Sequence, residues 1–170
     1  MKQFTISLLL FLLILSSSQA QRGWCSFDQF GWVIQIYQSA DDSLWVIGVD
    51  GTWQLDDQGW HQETQVTGIV NSIYQEPNGT LWVGGLDVVW RYDDDGWQQQ
   101  TQVTGLVWQI HRSSDGILWV FEQNGLWRYE ADSFQPGPKV AGGLSSFYQD
   151  KDGILWAGSS AGLWRYGTDG

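Results

Sequence analysis

The chain has 170 residues, enough for one domain rather than two. A formal net charge of −11 argues against nucleic acid or an anionic membrane surface as partner. Its single cysteine, Cys25, excludes an intramolecular disulfide, so stability has to come from packing, for which 13 tryptophans are available.

Residues 1–20 read as a secretory signal peptide. Lys2 gives a positive start, Ile6 to Leu15 is apolar, and Ser18-Gln19-Ala20 supplies small residues for cleavage after Ala20. The apolar run is shorter than the roughly 20 residues that span a bilayer. Arg22-Gly23-Trp24 in front of Cys25 is not a lipoprotein box. A periplasmic or secreted chain without a stable membrane anchor is expected, with residues 21–170 as one domain.

The next piece, Gly23 to Gly31, precedes the first full repeat and resembles a fragment of one. Gly23-Trp24 matches Gly59-Trp60 and Gly96-Trp97, and Phe30-Gly31 matches Val66-Thr67-Gly68 after a one-residue deletion.

From residue 33 the chain repeats. Leu44-Trp45, Leu81-Trp82, Leu118-Trp119 and Leu155-Trp156 recur at a step of 37 residues, each followed eight residues later by Trp53, Trp90, Trp127 or Trp164. A fixed step of that size suits a four-stranded propeller blade. Strand A of each unit begins at Val33, Val70, Val107 or Leu144 and alternates in character with period two. Asp41-Asp42, Asn78-Gly79, Asp115-Gly116 and Asp152-Gly153 then mark tight turns. Strand B carries the Leu-Trp pair and strand C the second tryptophan. An acidic turn such as Asp93-Asp94-Asp95-Gly96 leads to strand D at Trp60, Trp97 or Phe134. The turn aspartates are expected to cap their own backbone rather than hold a metal.

The last unit, 144–170, stops before strand D. The expected fold is all-β: a propeller of four blades of four antiparallel strands. Residues 22–30 would complete the last blade beside 163–166, which would cover an otherwise open sheet edge. A monomer is expected; the alternatives are an eight-bladed ring made by two chains and a fragment of a longer propeller.

Asn78-Gly79-Thr80-Leu81-Trp82-Val83-Gly84 with Trp90-Arg91-Tyr92, and Asp152-Gly153-Ile154-Leu155-Trp156-Ala157-Gly158 with Gly162-Leu163-Trp164-Arg165-Tyr166, resemble the two-component regulator propeller repeat. The resemblance implies a blade of a bacterial periplasmic sensor and extracytoplasmic ligand sensing, often of polysaccharide breakdown products. Gln54-Leu55 departs from the pattern where Arg-Tyr is expected, and Glu122 replaces the usual small residue after strand B. Kinase and phosphorelay residues do not carry over.

Positions shared by all units serve the fold, so candidate binding residues are those that differ between units. Strand A should line the central channel, and the loops between strands B and C share one face with the D-to-A connections. Trp108 is the expected stacking surface. Gln109, Glu122, Asn124, Asn71 and Gln35 are the expected polar contacts. The expected role is non-enzymatic binding of a glycan, another small molecule or a partner protein, with no cofactor and no catalytic residues. A structural interaction module is the alternative, and a carbohydrate-active enzyme a more distant one. His61 and His111 occupy unrelated repeat positions, so they suggest neither a zinc pair nor a catalytic dyad.

Overall fold

A computed structural model describes residues 26–167. Residues 1–25, which include the expected signal segment, Trp24 and Cys25, and residues 168–170 lie outside the described residues.

Four antiparallel sheets follow one another in chain order. The first contains β1 (Val33–Gln38), β2 (Leu44–Gly48), β3 (Gly51–Asp56) and β4 (Gly59–Gln62). The second contains β5 (Val70–Gln75), β6 (Leu81–Gly85), β7 (Val88–Asp93) and β8 (Gly96–Gln99). The third contains β9 (Val107–Arg112), β10 (Leu118–Glu122), β11 (Gly125–Glu130) and β12 (Ser133–Pro136). The fourth has three strands among the described residues: β13 (Leu144–Gln149), β14 (Leu155–Ser159) and β15 (Gly162–Tyr166). The all-β, propeller-like arrangement of repeated sheets agrees with the 37-residue step.

Turn chemistry sets the hairpins. Asn78 accepts the Thr80 N–H at 3.1 Å through its side-chain oxygen, and Gly79 takes a φ of 95° that favours glycine. The acidic turns cap themselves: Asp56 accepts the Gln58 N–H at 2.7 Å, and Asp93 accepts that of Asp95 at 3.0 Å.

Cross-strand register then sorts each sheet into two faces. In the first sheet Ile36, Val46 and Trp53 oppose one another and share a face with Leu44, Leu55 and Trp60. Tyr37, Trp45 and Ile47 lie on the other face. That second face packs on the first face of the next sheet: Trp45, Ile47 and Val66 form one core with Val70, Ile73, Leu81 and Val83. The pattern repeats one sheet on, where Trp82, Val89 and Val103 meet Val107, Ile110, Leu118, Val120 and Phe134. It repeats again where Trp119, Phe121 and Leu126 meet Leu144, Leu155 and Ala157. Each buried indole removes on the order of 200 Å² from water, which stabilises the joint by several kcal/mol. Aromatic pairs reinforce the joints: Trp82 meets Tyr129 edge-on at 4.7 Å, and Trp119 meets Tyr166 at 5.8 Å.

The joints are also hydrogen-bonded. The Ile73 N–H donates to Gln35 at 3.3 Å, and one joint later the Ile110 N–H donates to the Ser72 hydroxyl at 2.9 Å. The Ala40 N–H donates to Gln75 at 2.8 Å, and two joints on the Ser114 N–H donates to Gln149 at 3.1 Å.

The expected pairing of residues 22–30 beside 163–166 does not form over residues 26–30. Asp28–Phe30 is a 3-10 turn that packs on the first sheet, with Phe30 4.6 Å from Trp60 and 5.4 Å from Trp53. The physical reason lies in the match to Val66, a connector residue that packs in the joint between two sheets, against Trp45 and Ile47 on one side and Val70 and Ile73 on the other, and is not itself in a strand. Residues 22–25 lie outside the described residues. Among the described residues β15 pairs only with β14, and all five of its residues are exposed.

Candidate functional site

The six residues expected to contact a ligand separate into three groups. Trp108 and Gln109 follow the first residue of β9, beside a bulge where the β9–β10 register shifts. They line a cleft of about 200 Å³ between the third and fourth sheets, together with Phe121, Leu144, Ser145, Ser146 and Phe147. Trp108 is 49% exposed, unusual for so large an apolar side chain within a strand. The cleft floor is aromatic, with the rings of Phe121 and Phe147 only 3.6 Å apart. The Ser145 hydroxyl donates to the Gly158 carbonyl at 3.2 Å.

Glu122, the last residue of β10, and Asn124, in the loop after it, form the second group. Glu122 is buried, and its carboxylate accepts the Asn124 backbone N–H at 2.7 Å. Gly105 packs against that carboxylate: a Cβ there would lie 2.7 Å from Glu122 Oε2, and the φ of 104° already disfavours other residues. The Gly105 N–H donates to Asp87 at 2.8 Å. Glu122 thus braces the loops around the cleft; in the second sheet Gly85 holds this position, with no room for a Cβ against the Ile69 carbonyl.

Gln35 and Asn71 form the third group and work between sheets. Gln35 accepts the Ile73 N–H, and Asn71 donates to the Val107 carbonyl at 3.2 Å.

Ser145 and Ser146 were not among the six, although the 37-residue step places them opposite Trp108 and Gln109. A second cleft, of about 280 Å³ and lined by Glu76, Arg91, Arg112 and Tyr129, was also missed. There Arg112 donates to Glu76 at 2.7 Å, the Trp82 indole donates to the same carboxylate at 2.8 Å, and Arg91 pairs with Asp93 at 2.9 Å. Burial pushes the Tyr129 hydroxyl above its ordinary value. The available signal was variation between units: Glu76 and Arg112 stand where other units carry Ser113 and Gln75. This second cleft is self-neutralised, whereas the first leaves an indole open.

No helix among the described residues is long and apolar enough to cross a membrane.

Comparison with known proteins follows the same lines. Residues 142–161 match the family model "Two component regulator propeller". No curated protein matches the chain. Among solved structures, the chain is similar to the extracellular domain of a protein assigned as a hybrid two component system in B. thetaiotaomicron. The identity is 24% and the TM-score 0.64, over 79% of this chain and 21% of that one. A second extracellular domain from B. thetaiotaomicron, of an assigned one component system, gives 19% identity and a TM-score of 0.62 over 81% of this chain and 23% of that one. Virginiamycin B lyase from Staphylococcus aureus gives 18% identity and a TM-score of 0.59 over 81% of this chain and 56% of that one. The chain thus spans about half of the lyase and under a quarter of the sensor domains, and at these identities the likeness concerns the fold. The 20 residues matched, 142–161, cover the A–B hairpin and following turn of the fourth unit, and the 37-residue step repeats that unit's Leu-Trp pattern through the chain.

Proposed function

We propose that this chain is an exported, non-enzymatic, sensor-like propeller that binds a glycan in the cleft between its third and fourth sheets. The observation that carries the reading is Trp108, an open indole above a cleft that also presents the Gln109 amide and the Ser145 and Ser146 hydroxyls. An indole face beside amide and hydroxyl groups suits a sugar ring, which offers an apolar face and a rim of hydroxyls. The cleft lining carries no carboxylate or imidazole, so it holds none of the usual groups for acid–base hydrolysis. Glu122 and Asn124 shape the adjoining loop. Extracellular sensor domains of similar fold support placement outside the cytoplasm. The reading includes a closed ring of sheets in which the open edge of β15 is covered.

Calorimetric titration with a panel of oligosaccharides tests it. At least one should bind, and Trp108→Ala should weaken that binding by about tenfold or more, the worth of roughly 1.4 kcal/mol of stacking. Equal affinity of Trp108→Ala and wild type would remove Trp108 from the site. Release of shortened sugars during incubation would replace binding by turnover.

A further inference from the structure

We infer that the two open ends of the sheet array are the two halves of one joint, filled by a second copy of this chain, so that two chains close a ring of eight sheets. The inference rests on the completed ring proposed above and specifies which chain completes it.

The same joint already occurs three times within the chain, which defines what each end lacks. On the first sheet Ile36 is 62% exposed, whereas its counterparts Ile73 and Ile110 are each 4% exposed inside a joint. On the fourth sheet Leu163 is 72% exposed, whereas Val89 and Leu126 at the same position are 0% and 8% exposed. Tyr148 and Trp156 share the face of Leu163, as Tyr74 and Trp82 share that of Val89. The first sheet thus presents the acceptor half of a joint and the fourth the donor half, each in the residue pattern that packs elsewhere in the chain.

The hydrogen-bonding groups correspond as well. Ser146 stands where Gln35 and Ser72 accept the N–H of the next sheet's isoleucine, so it would receive Ile36 N–H of the second copy. Gln38 stands where Gln75 and Gln149 accept from the preceding sheet, so Gln38 of the second copy would receive Lys151 N–H.

A second copy fits better than the chain's own first sheet, because both faces are open while all four sheets are assembled. Most of this chain superposes on about half of the lyase, so its sheets are arranged as an arc of a larger array. Two such arcs joined fourth sheet to first, twice over, make a closed two-fold assembly with no free end.

Sedimentation equilibrium of the exported chain, with Ile36→Asp and Leu163→Asp variants, tests this. Both side chains face solvent in the single chain, so both variants should keep wild-type circular dichroism. Wild type should sediment as two copies, and each variant should weaken association by about 100-fold, because a carboxylate enters an apolar joint. Mixing the two variants restores one wild-type joint per pair and should recover two-copy species that neither forms alone. A monomeric wild type, or open polymers, would overturn the inference. In a monomer, amide exchange at residues 163–166 separates the two failures. Protection means that the chain completes its own ring, so only the second copy is lost; rapid exchange means that the completed ring fails too.

Discussion

The second and fourth sheets carry nearly the same motif in different surroundings. Trp82 and Trp156 both follow leucine in strand B, and both indoles donate at 2.8 Å to a carboxylate six residues earlier, Glu76 and Asp150. Yet Trp82 is sealed between sheets, while Trp156 is half-buried and shares its face with exposed Leu163. The motif specifies a hairpin and its local bond. Burial comes from the adjacent sheet, so the same residues contribute different amounts to stability at different places in the array.

Truncating the tryptophans should give the largest contrast. Trp119→Ala removes an indole that packs against Leu126, Leu144 and Leu155 and should lower stability by about 4 kcal/mol in urea unfolding. Trp156→Ala, measured at concentrations where chains are dispersed, should lose about 1–2 kcal/mol, because one side of the ring already meets water. Equal losses would mean that the outer face of the fourth sheet is covered in the single chain.

The polar bonds beneath these indoles sharpen the comparison at a smaller scale. Glu76 holds both the Trp82 indole and Arg112, so Glu76→Ala strands a guanidinium and a buried N–H and should cost about 2 kcal/mol. Ser113, the counterpart in the third sheet, accepts the Trp119 indole at 3.2 Å and pairs with Asp115. Ser113→Ala leaves no charge unpaired and should cost about 1 kcal/mol. Urea unfolding midpoints of the two variants give the ranking; a larger loss from Ser113→Ala would reverse it.

These contrasts also mark how far sequence reasoning reaches. The 37-residue step, the Asn-Gly and Asp-Gly turns and the alternation of strand A all report local geometry, and the strands lie where they predict. The Leu-Trp positions report burial correctly inside the array because every inner sheet has the same neighbours. The end of the array is different: the match of Phe30 to Val66 fixes the register along the chain but not which sheet lies alongside. The candidate site shows the same limit. Gln35, Asn71 and Trp108 all vary between units, and variation alone cannot separate an amide that bonds the next sheet from an indole that meets solvent. That distinction needs the partners across the joint, such as Ile73 N–H and the Val107 carbonyl.

The smallest predicted effect concerns acid and isolates the fourth sheet. The Trp156 indole bond, with further bonds from the Ile154 and Asp152 N–H groups, holds Asp150 below its ordinary value of 3.8. A carboxylate depressed on folding stabilises the folded state above its unfolded pKa and stops doing so as pH falls through its folded value. The contribution of Asp150 should therefore be fully present above about pH 4 and fade below the ordinary carboxylate value. Asp150→Asn keeps an acceptor oxygen but cannot titrate, so the stability difference between wild type and variant should shrink as pH falls from 5 toward 2 (approximately the range spanning both carboxylate states). Asp41, in the same turn region of the first sheet, is depressed chiefly by the Ser39 hydroxyl and predicts the same sign. Asp41 makes no bond to Trp156, so the Trp156 indole N–H resonance should shift in Asp150→Asn and stay unchanged in Asp41→Asn. A response of equal size to both variants would show that acid acts through the overall charge of the chain rather than through this bond.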